Sequence, residues 1–239
     1  QIDYFFVQDN SSKELLNLNN IDNVSITGDT RIDRVKEIAK EDKKFTSIER
    51  FINKDICFIA GSSWETDYTI FLKSIVKRSN LKTIIAPHNI IDSEIRNLEK
   101  MTPSVSVRYS RIDRDLDPSK RILIIDSIGS LKHLYKFADI SYVGGGMGNK
   151  GLHNILEAAV FGIPIIIGKN FKGFSEAEEL VKLGGVKSIN SEIEFEDIFN
   201  NLISNKAILE KMGKINKDYI SSNSGGSEKI IKALKESLM

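Results

Sequence analysis

Short runs of residues that are apolar at nearly every position alternate along this chain with amphipathic stretches of roughly ten to fifteen residues. Ile122-Leu-Ile-Ile125 and Ile163-Pro-Ile-Ile-Ile167 are the clearest runs. A strand with one wet face alternates polar and apolar. A strand without that alternation is buried on both faces, as in a parallel sheet covered by helices. The pattern predicts strands at Tyr4–Gln8, Val24–Thr27, Ile56–Ala60, Lys82–Ala86, Ser104–Arg108, Ile122–Asp126, Ile140–Val143, Ile163–Ile167 and Val186–Ser188. Helices fall between them, among them Glu65–Ser79, Gly129–Ala138 and His153–Phe161, with Ser227–Leu238 at the end. The fold class is therefore α/β, a Rossmann-like doubly wound parallel sheet.

A seam falls within Glu37–Lys54, beginning in the charged run Lys36-Glu-Ile-Ala-Lys-Glu-Asp-Lys-Lys44. Residues 1–50 hold two strands, too little to bury a core alone. They read as the tail of a preceding domain, with 51–239 as a complete one. The chain starts at Gln1 on a strand-like run without an initiating Met, which fits a larger protein continuing upstream. A single nine-stranded domain is the alternative.

Apolar residues at 41 % and charged residues at 28 % are ordinary for a soluble globular protein. With 34 Lys and Arg against 33 Asp and Glu, the net charge of +1 removes the bulk electrostatic case for nucleic-acid binding. The single cysteine, Cys57, excludes a disulfide within the chain and a cysteine-based zinc site, and its apolar surroundings mark an inert core thiol. No apolar run approaches about 18 residues, and no basic segment leads into an apolar one as in a signal peptide.

Open parallel sheets bind ligands at the carboxyl ends of their strands. The chemistry-bearing residues fall at such places: Gly61-Ser-Ser-Trp64, Pro87-His-Asn89, Asp126-Ser-Ile-Gly129, Gly144-Gly-Gly-Met-Gly-Asn-Lys-Gly151 with His153-Asn-Ile-Leu-Glu157, and Gly168-Lys-Asn170. Gly146, Gly148 and Gly151 satisfy G-x-G-x-x-G, but Phe171 and Lys172 stand where a dinucleotide site needs an acid, and the P-loop pattern fails as well. The loop reads as phosphate-facing, with a plain tight turn as the alternative. Asn154 and Glu157 share one face of a first helical turn, where they suit either a ribose or a capping pair. His88 and His153 suit capping as well as a ligand, whereas His133 reads as structural. Three separated histidines form no metal site, and Ser62 and Ser63 lack the setting of a hydrolase nucleophile. Trp64 covers a core edge or walls a base pocket. Asp9, Asp29 and Asp33 read as solvated or capping.

Taken in order, Phe6-Val-Gln-Asp9, Val24-Ser-Ile-Thr-Gly-Asp-Thr-Arg31 with Asp33-Arg-Val35, Ala60-Gly-Ser-Ser-Trp64, Ile85-Ala-Pro-His88, Asp126-Ser-Ile-Gly129, Leu134-Tyr135 with Ala138-Asp139, Tyr142-Val-Gly-Gly-Gly146, Gly151-Leu-His-Asn-Ile-Leu-Glu-Ala158 and Gly162-Ile-Pro-Ile165 resemble the C-terminal half of the 3-deoxy-D-manno-octulosonic acid (Kdo) transferases. The likeness covers about residues 1–190. It implies the C-terminal domain of a GT-B glycosyltransferase, which holds CMP-Kdo while Kdo passes to a lipid A precursor in lipopolysaccharide synthesis. The family's donor contacts would fall on Pro87 and His88, on Ile128, Gly129 and Ser130, and on Asn154, Ile155, Leu156 and Glu157. Rim position adds Ser62, Ser63, Gly145 and Gly146.

Ser130 stands where many members carry Glu, and His88 where many carry Arg, so any charge supplied by His88 depends on pH. The resemblance places the general base and the membrane-contacting surface in the N-terminal domain. It therefore implies donor binding with little or no transfer by these 239 residues. It also implies no metal and no cofactor beyond the donor, and, for the whole enzyme, work at the cytoplasmic face of a Gram-negative inner membrane. The competing readings are a UDP-sugar GT-B transferase or 2-epimerase, separated by base preference, and a nucleotide-binding module without chemistry.

Overall fold

A computed structural model of the chain describes residues 2–237. Leu238, the expected end of the last helix, lies outside the described residues, as does Gln1. All nine expected strands form: β1 Phe5–Val7, β2 Val24–Ile26, β3 Ile56–Ser63, β4 Leu81–Pro87, β5 Ser106–Arg108, β6 Ile122–Ile124, β7 Ile140–Val143, β8 Ile165–Gly168 and β9 Val186–Ile189. They form two separate parallel sheets rather than one of nine strands. β1 pairs with β2, and the other seven run in the order β5-β6-β4-β3-β7-β8-β9.

The chain divides into two compact units, residues 42–217 and residues 1–41 together with 218–239. The divisions fall at 41/42 and 217/218, where a single boundary at 50/51 was expected. The helix Gly226–Ser237 thus belongs with the front segment.

Within that smaller unit the three front aspartates are helix caps. Asp9 accepts the Ser12 N–H at 2.8 Å, and Asp29 accepts the Arg31 N–H at 2.9 Å. Asp33 accepts the N–H groups of Gly225 at 2.6 Å and Ser227 at 2.7 Å, which starts the last helix. In Thr27-Gly-Asp-Thr-Arg31, Gly28 takes φ +97° and Arg31 pairs back to Asp29 at 2.7 Å.

The charged seam holds more helix than its composition suggests: Thr30–Lys40 and Thr46–Ile52. Each hides a narrow apolar stripe, Ile32 and Val35 in the first and Ile48, Phe51 and Ile52 in the second, beneath exposed charge.

In the larger unit the both-faces-buried reading of the strands holds. Cys57, Phe58, Ile59 and Ala60 are each fully buried, although successive residues point to opposite faces. Phe58 packs edge-on against Phe71 (5.8 Å) of helix Glu65–Val76 and Phe199 (5.1 Å) of helix Glu192–Ser204. Burial and the Asp139 charge push the Cys57 thiol well up, so it is the inert core group expected.

Two expected helices are corrected. Gly129–Ala138 becomes an α-helix over Leu131–Leu134 followed by a 3₁₀ turn over Tyr135–Phe137. His153–Phe161 shrinks to Leu156–Ala159, because the His153 N–H donates to the Gly144 carbonyl and Gly162, at φ +68°, ends the turn. A single turn carries little macrodipole, so the helix-end argument for anion binding at Asn154 falls away.

Strand order places the crevice. From β3 the chain moves outward through β4 to the far edge, then returns past β3 to start β7 on its other side. Connections therefore diverge between β3 and β7, and the loops at their carboxyl ends part there.

Candidate functional site at the sheet switch point

β3 runs three residues further than expected, and its extension shapes the rim. A bulge between Gly61 and Ser63 puts Ser62 at φ +48° and shifts the register against β4. Ser63 is consequently buried; its hydroxyl donates to the Ala86 carbonyl at 3.4 Å, and its carbonyl accepts the His88 N–H at 2.9 Å. Expected to touch a donor, Ser63 instead ties β3 to β4. Ser62 is half-buried and Pro87 buried at the end of β4, while His88 is exposed.

Beyond the bulge, Trp64 meets two residues from other strands. Its indole N–H donates to His153 Nε2 at 3.0 Å, joining residues 89 positions apart. The two ring planes are near parallel, with centroids 6.2 Å apart at 16°. His88 stacks on both, 4.3 Å from Trp64 and 4.4 Å from His153. Lys150 Nζ stands 5.4 Å from the Trp64 ring centre. The loops after β3, β4 and β7 therefore converge on one aromatic shelf at the switch point. Burial and the neighbouring His88 hold the His153 imidazole below the usual histidine range.

The glycine loop differs from its expected form. Its N–H groups do converge on an anion, but the anion is Asp67, a fully buried residue in the first turn of helix Glu65–Val76. Asp67 accepts the N–H groups of Trp64 at 2.8 Å and Gly145 at 3.1 Å, that of Met147, and the Tyr142 hydroxyl at 2.7 Å. Desolvation raises its pKa against the pull of those bonds. Gly145, expected to touch the donor, thus has its N–H committed within the protein, and the Gly144 N–H goes to the Gly61 carbonyl.

Close packing accounts for the glycines themselves. A Cβ on Gly145 would lie 2.0 Å from the Gly151 carbonyl, and one on Gly146 would lie 3.0 Å from the Gly168 nitrogen. The Gly168–Asn170 segment is bonded to this loop, Asn170 N–H to the Gly146 carbonyl at 2.8 Å. It does not form a separate wall of the crevice.

Asn154 takes its capping role, accepting the Leu156 N–H at 3.1 Å, and Ile155 and Leu156 are wholly buried, leaving only backbone to offer. Glu157 is half-buried, and its charge bears on the buried Tyr135 phenol. Tyr135 and Leu131 pack over Gly61, where a Cβ would lie 1.9 Å from the Tyr135 hydroxyl. That packing anchors the preceding Ile128-Gly129-Ser130 loop to the end of β3. Ile128 is 90 % exposed and Gly129 takes φ +86° with open space beside it.

The residues missed from sequence were Trp64, His153 and Asp67 as a linked set. The Trp-x-x-Asp spacing at a helix start was the one available signal for Asp67. Open grooves of about 570 Å³ and 550 Å³ lie elsewhere, beside Asp33 and Lys36 in the smaller unit and beside Tyr68 and Met101 in the larger. Neither gathers comparable chemistry. Among the described residues, no cluster of three or more His, Cys, Asp or Glu is placed to hold a metal ion, and no helix is long and apolar enough to cross a membrane.

No protein-family model matches the sequence. The 3-deoxy-D-manno-octulosonic acid transferase of Haemophilus influenzae is 28 % identical over 212 residues, covering 86 % of this chain and 47 % of that protein. The chain thus spans about half the length of the curated relatives it matches. Among solved structures, the C-terminal CMP-Kdo binding domain of WaaA from Acinetobacter baumannii aligns with a TM-score of 0.62 at 18 % identity, over 78 % of this chain and 96 % of that one. A putative UDP-N-acetylglucosamine 2-epimerase from Listeria monocytogenes aligns with a TM-score of 0.69 at 16 % identity, over 99 % of this chain and 60 % of that one. The larger unit has the fold of a GT-B C-terminal domain, and the sequence is similar to Kdo transferases, as its motifs indicated.

Proposed function

We propose that the larger unit seats the cytidine monophosphate of CMP-Kdo on the rim between β3 and β7, as the donor-binding half of a Kdo transferase of lipopolysaccharide synthesis. The observation that carries this is the meeting of Trp64, His88 and His153, from three separate strand ends, at the sheet's topological switch point. The motifs that resemble the Kdo transferases are the segments that build this shelf. CMP-Kdo carries one phosphodiester and one carboxylate. The His88 imidazole, when protonated, and the Lys150 ammonium supply positive charge on the shelf side. The exposed Ile128–Ser130 loop supplies backbone N–H groups.

On this reading no metal is needed, because charge on the departing CMP is met by these groups. Inversion at the sugar requires a base opposite the leaving phosphate. That base, the lipid A precursor site and the contact with the inner membrane's cytoplasmic face belong to the part of the relatives that this chain does not match. The 239-residue chain is then a donor binder that transfers no Kdo by itself.

Calorimetric titration tests the proposal. CMP is expected to bind with a clear preference over UMP and UDP, and His88→Asn to weaken it. Binding of UDP in preference to CMP would replace this reading with a UDP-sugar enzyme of the same fold.

A further inference from the structure

The Trp64–His153 bond has one possible direction. An indole N–H only donates, so His153 Nε2 must present its lone pair, and the ring's proton then sits on Nδ1. A second proton on His153 would place two donors 3.0 Å apart. His88 is stacked 4.4 Å from the same ring but is exposed, and none of its contacts requires a lone pair. Two imidazolium rings at that separation would repel, which disfavours a proton on both at once.

We propose that Trp64 is a positioning residue that keeps His153 as the neutral Nδ1–H tautomer, so that a proton taken up by the stacked pair resides on His88. The rim then carries two unlike groups. His88, exposed and under no such constraint, offers its ring edge to a single phosphate or carboxylate group. His153 is a fixed neutral donor suited to an uncharged or partly charged oxygen.

The surrounding charges are compatible with this division. Lys150, beside Trp64, opposes a second positive charge. Asp67 is saturated by its own donors, Glu157 sits by Tyr135, and Glu65, next to Trp64, is exposed. No carboxylate is bonded to either imidazole among the described residues. Burial and His88 together disfavour the His153 cation, in the same sense as the hydrogen-bond geometry.

Long-range ¹H–¹⁵N spectra of the whole chain, recorded from pH 5.5 to 7.5, test the tautomer directly. His153 signals are assigned by their loss in His153→Asn. The wild-type chain is expected to show His153 protonated at Nδ1 and bare at Nε2 throughout, with any further proton seen on His88 and not on His153. Trp64→Phe keeps a ring but removes the donor, so His153 then mixes tautomers and shares the proton. A wild-type His153 protonated at Nε2, or one that titrates in step with His88, overturns the proposal. So does an unchanged His153 pattern in Trp64→Phe.

The affinity arm rests on the donor-site reading above. Wild-type affinity for CMP should rise roughly tenfold on acidification, as one charge-assisted hydrogen bond forms, and His88→Asn should abolish that rise. A rise that survives in His88→Asn counts against the proposal. Absence of CMP binding overturns the donor-site reading, with the tautomer assignment still decided by the spectra.

Discussion

Two glycine-bearing loops leave the carboxyl edge of the same sheet and end in opposite conditions. The loop after β7 is buried at Gly144, Gly145 and Gly146, and at least two of its N–H groups close on Asp67. The loop after β6 stands in solvent, with Ile128 exposed and nothing within 4 Å of a Cβ built on Gly129. Their sequences look alike, as small and polar residues between an apolar strand and a helix. Glycine in the first loop answers crowding by neighbouring backbone. In the second it answers a positive φ in open space. The proposed donor contact attaches to the open loop, whereas the closed loop is the frame behind His153, whose N–H donates to the Gly144 carbonyl.

This contrast makes the largest expected effect a substitution in the closed loop. A Cβ on Gly144 would lie 2.4 Å from the Ser62 carbonyl oxygen and 2.6 Å from the Ser63 Cα. Gly144→Ala should cost about 3 kcal/mol, because backbone on both sides must shift. Urea denaturation of the larger unit checks this, and a loss under about 1 kcal/mol would show that the closed loop yields more readily than its packing implies.

Next comes Asp67→Asn. The amide presents one acceptor oxygen where the carboxylate presented two, and its NH₂ faces donors. The expected loss is about 2 kcal/mol, with CMP affinity falling too as the shelf loosens. Unchanged stability would mean that the loop holds its shape without this anion.

The smallest effects belong to the open loop. Gly129→Ala should cost about 1 kcal/mol through its backbone conformation alone. Ile128→Ser should change stability by less than about 0.5 kcal/mol. Both should still weaken CMP binding in the same titration. If Ile128→Ser left affinity untouched while Asp67→Asn abolished it, the assignment of frame and contact loop would be reversed.

Much of the fold was legible because burial on both faces leaves a direct trace in strands such as Ile122–Ile124 and Ile165–Gly168. Helices carried by a two- or three-residue apolar stripe, such as Thr46–Ile52, were hidden by the charge around them. Short turns such as Leu156–Ala159 were overextended, since local pattern carries no record of the bond from His153 to the Gly144 carbonyl. At the site, Pro87, His88 and Gly129 stand at the strand ends where the spacing put them, Pro87 buried and the other two exposed. Ser63 and Gly145 were assigned to a ligand and proved to be tied to Ala86 and Asp67.

Read alone, the chain's apolar rhythm dictates a parallel sheet sheathed on both sides, and hence the edge at which a ligand would sit. It is silent on which loop groups are already spent. That depended on three-dimensional neighbours: Asp67 entering the glycine loop, and Trp64 reaching His153 across 89 positions. Hydrogen bonds of that kind depend on distance and direction in space, and neither is encoded in the local spacing of residues.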